Sequence, residues 1–387
     1  MATLKPGSGN STVIFQSGDT VVIDAGVVIS VPLGTGLNQD AAYATLDLTA
    51  RIRGTVSGGT NGIVASEFPS STGYRDIGIS ATGSISGDST AIFLQGGDNL
   101  VRNNGTVTGG LGSAINMVNF HDGWVYNDGT INGKVTFETG ASFRVVNTSL
   151  MTGGVVATNT SGTIVNAGTF ENAAGAAITA SSTSAMVVRN SGTLTGNVLA
   201  VLLSDQADRM VNSGMVNGDV LLLGGDDKYT HAAGGSVTGT VKAGTGNDVL
   251  RGSTAADIFM GEAGNDRLFG GGGEDVLTGG GDADLLSGGG QHDTFVFLTA
   301  NDSTAAASDR ITDFQHGLDE IDLATVNAGV LDFNGLGGFT GGGTGSVRYV
   351  LNGPDAIVRV DADGDGGGDM KIVLTGVGFL DAGDFIL

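Results

Sequence analysis

Between residues 243 and 296 an aspartate returns every nine residues. The units begin at Ala243, Gly252, Gly261, Gly270, Gly279 and Gly288. Their sixth positions are Asp248, Asp257, Asp266, Asp275, Asp284 and Asp293. Their eighth positions are Leu250, Phe259, Leu268, Leu277, Leu286 and Phe295. Two units make one coil, so aspartates 18 residues apart should stack: Asp248 with Asp266, Asp257 with Asp275, Asp266 with Asp284, and Asp275 with Asp293. Stacked carboxylates repel unless a cation sits between them. Turn carbonyls, such as those of Gly246, Gly264 and Gly273, complete an all-oxygen ligand set. Such a set suits calcium, which accepts a flexible cage, better than magnesium with its tight octahedron. Without metal the rows repel, so binding and folding are expected to be coupled.

The elements that position these residues follow from the same register. Six residues make a turn that glycine permits, and three make a short strand whose eighth position points inward. A glycine-rich linker would show no fixed columns. The pattern resembles the nonapeptide G-G-x-G-x-D-x-U-x of RTX proteins, which implies a calcium-binding β-roll. Some units depart from it. Ser253, Ala255 and Glu262 replace glycines, as do Asp282 and Gln291 at position four, so individual sites are expected to be weaker. The unit Gly234–Lys242 keeps Val241 but has Gly239 in place of the aspartate. Upstream, Gly224–Tyr229 reads as a contracted copy, with Asp226 and Asp227 as further candidate ligands.

An earlier repeat runs from about residue 54 to 240. Its core, apolar-x-Asn-x-Gly-Thr-apolar, is seen in Val101–Val107, Val125–Ile131, Ile164–Phe170 and Val188–Leu194. The Asn column is Asn103, Asn127, Asn147, Asn166, Asn190 and Asn212, spaced 19 to 24 residues apart. This period predicts a parallel β-solenoid, because one rung cannot bury its apolar face alone. The apolar residues two before and four after each Asn should point inward. The Asn belongs at a corner, either as a ladder that satisfies backbone groups or as a binding row. Thr106, Thr130, Thr169 and Thr193 form an interrupted second column, too thin to stand as an ice-binding face.

The C-terminal ninety residues hold Asp309-Arg-Ile-Thr-Asp-Phe314, Gly317–Leu323, and alternating segments Ser346–Leu351 and Ala356–Val360 around Asn352-Gly-Pro354, read as an antiparallel hairpin. Asp361-Ala-Asp363-Gly-Asp365-Gly matches the opening of an EF-hand loop, but its twelfth position is Ile372 in place of Glu. It is either a loose calcium turn or a solvated acidic hairpin turn. Together with Asp293–Phe297 and the terminal Asp384-Phe-Ile-Leu387, these segments look like the C-terminal region of serralysin-type proteins. That resemblance implies a calcium β-roll followed by an uncleaved signal for type I secretion. The chain would leave a Gram-negative cell unfolded and fold in calcium outside. The family's protease does not carry over. The four histidines, His121, His231, His292 and His316, make no H-E-x-x-H.

Composition narrows the rest. There are 17 basic and 40 acidic residues, a net charge of −23, which excludes a positively faced nucleic-acid binder. Residues 224–387 carry −17 of that charge and residues 1–223 only −6. Cys is absent, so disulfides and thiolate metal sites are excluded. The longest apolar run, Val198–Leu203, is far short of a membrane span, and the N-terminus shows no apolar signal-type stretch. The expected fold class is all-β: a parallel β-helix or β-solenoid, then the RTX β-roll, then a C-terminal β-rich secretion region. The expected domains are a cap and first strands (1–53), the solenoid (54–233), the roll (234–297) and the secretion region (298–387). The solenoid is read as a non-enzymatic adhesin, matrix or surface-layer scaffold, extracellular and in contact with polysaccharide or cell-surface components. The alternative is a polysaccharide lyase or epimerase. Its best cluster is His121-Asp122 with Tyr126 and Arg102, and Arg189 recurs at the same repeat position.

Overall fold

The computed structural model describes residues 48–58, 60–66, 73–181, 183, 185–327 and 329–387, with the backbone of four short strands between Val13 and Gln39. The cap expected over 1–53 lies for the most part outside the described residues. The chain is an all-β parallel solenoid. Among the described residues the only helix is a 3-10 turn at Ala382–Asp384, and no helix is long and apolar enough to cross a membrane. Two compact units are formed, Met1–Asp205 with Gly214–Gly218, and Gln206–Ser213 with Asp219–Leu387.

In the first unit each strand pairs in parallel with the strand one turn away. Val101 lies opposite Ile77 on one side and Val125 on the other, and the column continues through Val145, Ile164 and Val188. A second column runs Val107, Ile131, Met151, Phe170 and Leu194. All are fully buried, and apart from Ile77 they are the residues two before and four after Asn103, Asn127, Asn147, Asn166 and Asn190. Burial of each such side chain contributes roughly 1.5–3 kcal/mol, but only once a neighbouring rung covers it. The Asn column is a hydrogen-bonded ladder. The Nδ2 of Asn103, Asn127, Asn147 and Asn166 each donates to the Oδ1 of the next Asn at 2.7–2.8 Å. The same amides also donate to carbonyls of the next rung, those of Thr130, Leu150, Thr169 and Thr193. The Thr column is interrupted by Leu150, which stands between Thr130 and Thr169.

In the second unit, two apolar columns form the roll. One runs Leu250, Leu268, Leu286, Ile311 and Leu374; the other runs Val241, Phe259, Leu277, Phe295, Ile321 and Phe385. The columns therefore outlast the nonapeptides and are closed by C-terminal strands. The expected hairpin is present as Ser346–Asn352 against Asp355–Asp361, and Met370–Leu374 adds a third antiparallel strand.

Candidate metal centre

The four aspartate pairs expected at a spacing of 18 residues all stack. The backbone N–H of Asp248 donates to Oδ1 of Asp266 at 2.8 Å, and that of Asp266 to Asp284 at 2.7 Å. Asp257 donates in the same way to Asp275 at 2.7 Å, and Asp275 to Asp293 at 3.0 Å. Each carboxylate thus has one oxygen fixed by the preceding turn. The rows are longer than the nonapeptides. In one row Asp208 donates to Asp227, Asp227 to Asp248, and Asp284 to Asp309. In the other Asp293 donates to Asp319.

The second oxygen is the informative one. Oδ2 of Asp227, Asp248, Asp266, Asp275, Asp284, Asp293 and Asp309 is buried with no hydrogen-bond partner. A buried carboxylate oxygen left without a partner is costly, and these seven, five in one row and two in the other, must be answered by a proton or by a cation. Burial pushes these acids up: Asp248 and Asp293 to about 6, Asp266, Asp275 and Asp284 to about 7, Asp227 to about 8 and Asp309 to about 9. Their like-charged neighbours add to the shift in the row from Asp227 to Asp309.

Glycine at position one leaves no side chain beside the free oxygens of Asp266, Asp275, Asp284 and Asp293. A Cβ on Gly270 would stand 2.2 Å from Oδ2 of Asp275 and 2.7 Å from the carbonyl oxygen of Gly288. On Gly261 it would stand 2.3 Å from Asp266 Oδ2 and 2.5 Å from the Gly279 carbonyl. A side chain at either position would therefore crowd the free carboxylate oxygen and the next carbonyl oxygen, the two kinds of oxygen a calcium cage draws on. The donor set is oxygen alone, which favours a hard cation over zinc or copper. The residues therefore fit calcium.

The substituted units behave differently. Glu262, Asp282 and Gln291 hold φ of 75°, 78° and 79°, the left-handed geometry that glycine would take without strain. Gly246, Gly264 and Gly273 also have positive φ, and a Cβ on Gly264 would lie 1.7 Å from the Gly246 carbonyl oxygen. These three glycines therefore shape the turns. In the unit with Ser253 and Ala255 the turn closes on its own aspartate: Oδ2 of Asp257 accepts from the N–H of Ser253 at 3.2 Å. Asp319 is closed likewise by the N–H of Gln315 at 2.8 Å. Where Gly239 leaves the row without an aspartate, the buried His231 faces Oδ1 of Asp257 through Nδ1. Burial pushes the His231 imidazole down, but the bonded Asp257 more than reverses this and its pKa is raised.

Asp226 departs from its expected place beside Asp227. It lies outside the buried row, and its Oδ1 accepts from the N–H of Asn247 in a parallel, exposed column that continues to Asn265. Asp309 and Asp319 were missed by the nonapeptide register, although Asp309-Arg-Ile311 and Asp319-Glu-Ile321 keep its Asp-x-apolar signature. In the EF-hand-like loop, Asp361 is buried and its two oxygens accept from the N–H groups of Gly364 and Gly366. Asp363 and Asp369 each bring an oxygen within 4.8 Å of it, whereas the Oδ1 of Asp365 accepts from Gly367 N–H.

The constellation expected on the first unit is divided. Arg102 and Tyr126 stand opposite each other on neighbouring strands and line a cleft of about 510 Å³. His121 and Asp122 are not among its lining residues: His121 Nδ1 is 3.0 Å from Asp98, and Asp122 accepts from Ser142 at 2.6 Å. Arg189 is three rungs beyond Tyr126, past Val146 and Val165.

The nine-residue register, the paired carboxylate rows and the roll define an RTX-type repeat protein. The chain matches the family Peptidase M10 serralysin C terminal over residues 164–387 and belongs to it. The match reaches back into the Asn-bearing rungs. Among solved structures, the AlgE6R2 subunit of the Azotobacter vinelandii mannuronan C5-epimerase is 31% identical, over 37% of this chain and 91% of that one, with a TM-score of 0.30. The AlgE6R3 subunit of the same enzyme is 28% identical, over 36% of this chain and 77% of that one, also at 0.30. No curated protein matches the chain.

Proposed function

We propose that this is a secreted protein whose roll folds on binding several calcium ions outside the cell, and whose first unit is a non-enzymatic adhesin, matrix or surface-layer scaffold. The observation that carries the calcium reading is the set of seven buried, unpartnered Oδ2 atoms along the two rows. Asp248, Asp266, Asp275, Asp284 and Asp293 would hold the ions, with turn carbonyls between them and Asp227 and Asp309 extending one row. Bound calcium supplies the positive charge that lets these acids ionise inside the roll. RTX repeats bind calcium in general, and membership of the serralysin C-terminal family supports type I export and an extracellular place.

The test is hydrogen exchange with and without calcium. At pH 8, residues 243–296 should lose amide protection in excess chelator and regain it on adding calcium, with circular dichroism following. Unchanged protection in chelator would sink the proposal. A second reading, a polysaccharide lyase or epimerase, is favoured by the cleft that holds Arg102 and Tyr126. Incubation with acidic and neutral polysaccharides separates the two. Retention without new product supports the scaffold, and new product by mass spectrometry supports the enzyme.

A further inference from the structure

We propose that the cleft on the first unit is a glycan site that seats one carboxylated pyranose against Arg102. It has no part in the cation rows and rests only on the reading of the first unit as a binding scaffold. The cleft is lined by Tyr74, Leu100, Arg102, Trp124, Tyr126 and the polar pair Asn104 and Asp128. Its volume of about 510 Å³ lies within the ~300–1,000 Å³ usual for ligand sites. A second hollow of about 280 Å³ shares Arg102 and Asn104 and adds Arg51 and Arg53. The strand register runs Arg51, Gly78, Arg102, Tyr126, so the groove crosses four rungs, about 14 Å at ~4.8 Å each.

Composition makes the placement unusual. The chain has 5 Tyr and 1 Trp, and three of those six line this one cleft. Tyr74 and Tyr126 are exposed there, on a surface where nothing in the solenoid core needs them. Flat aromatic faces suit the C–H face of a pyranose ring, and Tyr, Trp and Arg are the side chains that dominate recognition sites.

The charge is equally specific. Asp76 accepts from Arg51 through Oδ2 at 2.6 Å and from Arg102 through Oδ1 at 2.8 Å. The Arg51 stem reaches Asp76 across Gly78, where a Cβ would lie 3.2 Å from Arg51 Cδ. Asp128 lines the same cleft, so two guanidiniums stand with two carboxylates, and the positive charge on offer is the local one of Arg102. Arg102 is also hydrogen-bonded to Tyr74, so it is held before any ligand arrives, while its side chain stays 49% exposed. A planar, pre-oriented guanidinium is suited to a carboxylate. One half-exposed guanidinium fits one uronate in an otherwise neutral chain. It does not fit a nucleic acid, which the net charge of −23 also repels.

Trp124 is the only tryptophan, so intrinsic fluorescence reads the cleft directly. The calcium-loaded full chain is titrated with a trisaccharide bearing one glucuronate, with its carboxyl-reduced counterpart, and with a single-stranded oligonucleotide. The acidic sugar should give a saturable emission change, and the reduced sugar should bind about tenfold more weakly. Arg102→Met should bring the acidic sugar down to the reduced level, and Tyr126→Ala should weaken both about tenfold. Both side chains are exposed, so neither change disturbs the core. Calorimetry is run alongside. No saturable signal at millimolar sugar, equal binding of the two sugars, displacement by the oligonucleotide, or calorimetric binding that both variants leave unchanged would each overturn the site. Circular dichroism of the same samples reports the roll separately. A roll that ignores calcium while Trp124 still responds counts against the cation rows and not against the cleft.

Discussion

Asp226 and Asp227 are neighbours in sequence and different groups in the fold. Asp226 keeps a solvated carboxylate bonded to Asn247, whereas Asp227 is buried with Oδ2 unpartnered. On the proposed calcium reading, only the second is a ligand. Asp227→Ala should therefore remove at least one bound calcium in a calorimetric count, and Asp226→Ala should remove none. Asp266→Ala should weaken two sites, because it stacks on both Asp248 and Asp284. Losing one site held at a hundred times its dissociation constant lowers stability by about 2.7 kcal/mol. The converse change is as telling. Asp257 Oδ2 is already taken by Ser253 N–H, in the one nonapeptide that lacks glycine at both positions two and four. Restoring them with Ser253→Gly and Ala255→Gly should free that oxygen and raise the calcium count by one. An unchanged count in the double variant would mean that the turn's shape is not what closes the site.

A rung of the first unit is held by apolar burial inside and by the Asn ladder at its corner, and the two contribute differently. Asn147 is fully buried; it accepts from Asn127 and donates to Asn166 and to the Thr169 carbonyl. Asn147→Ala strands a donor on one side and an acceptor on the other, which costs about 2–4 kcal/mol. Urea unfolding of calcium-loaded protein should show a lower midpoint with an unchanged slope. Thr148→Ala, next to it, gives up an exposed hydroxyl bond to Asp128 and should cost less, about 1 kcal/mol. Much of this element structure was legible, because a fixed period forces equivalent residues into equivalent places. The inward columns, the Asn ladder and the stacked aspartates all follow from the register. What broke the register was hidden. Asp309 and Asp319 rejoin the rows after gaps of 25 and 26 residues, and only the Asp-x-apolar triplet marks them. His231 takes the next place in the Asn column, opposite Asn212, but the change of residue type hid both that place and its contact with Asp257. His121 fell on the same rung as Tyr126 yet does not line its cleft, since a position within a rung also sets which way a side chain faces.

Over the whole chain the surplus of acid is what the proposed calcium ions would answer, and pH tests that directly. The buried rows have folded-state pKa values raised to between about 6 and about 9, against an ordinary aspartate near 4 in the unfolded chain. Between those limits the folded state holds more protons than the unfolded one. Stability of calcium-free protein must then fall as pH rises. The contribution is complete below about pH 4 and is lost as pH climbs through 6 to 9. Calcium at the proposed sites should reverse the sign, because it would bind the ionised form and displace those protons. After removal of calcium on a chelating resin, the second unit should be most protected from hydrogen exchange near pH 5 and least near pH 8. Added calcium should restore protection most strongly at pH 8, and binding to the folded roll near pH 6 should release protons, seen as a dependence of the calorimetric heat on the buffer. If calcium-free protein were instead more stable at pH 8 than at pH 5, the buried carboxylates would have to be ionised and compensated by the protein itself. The rows would then be structural ladders like the Asn column, with no cation required.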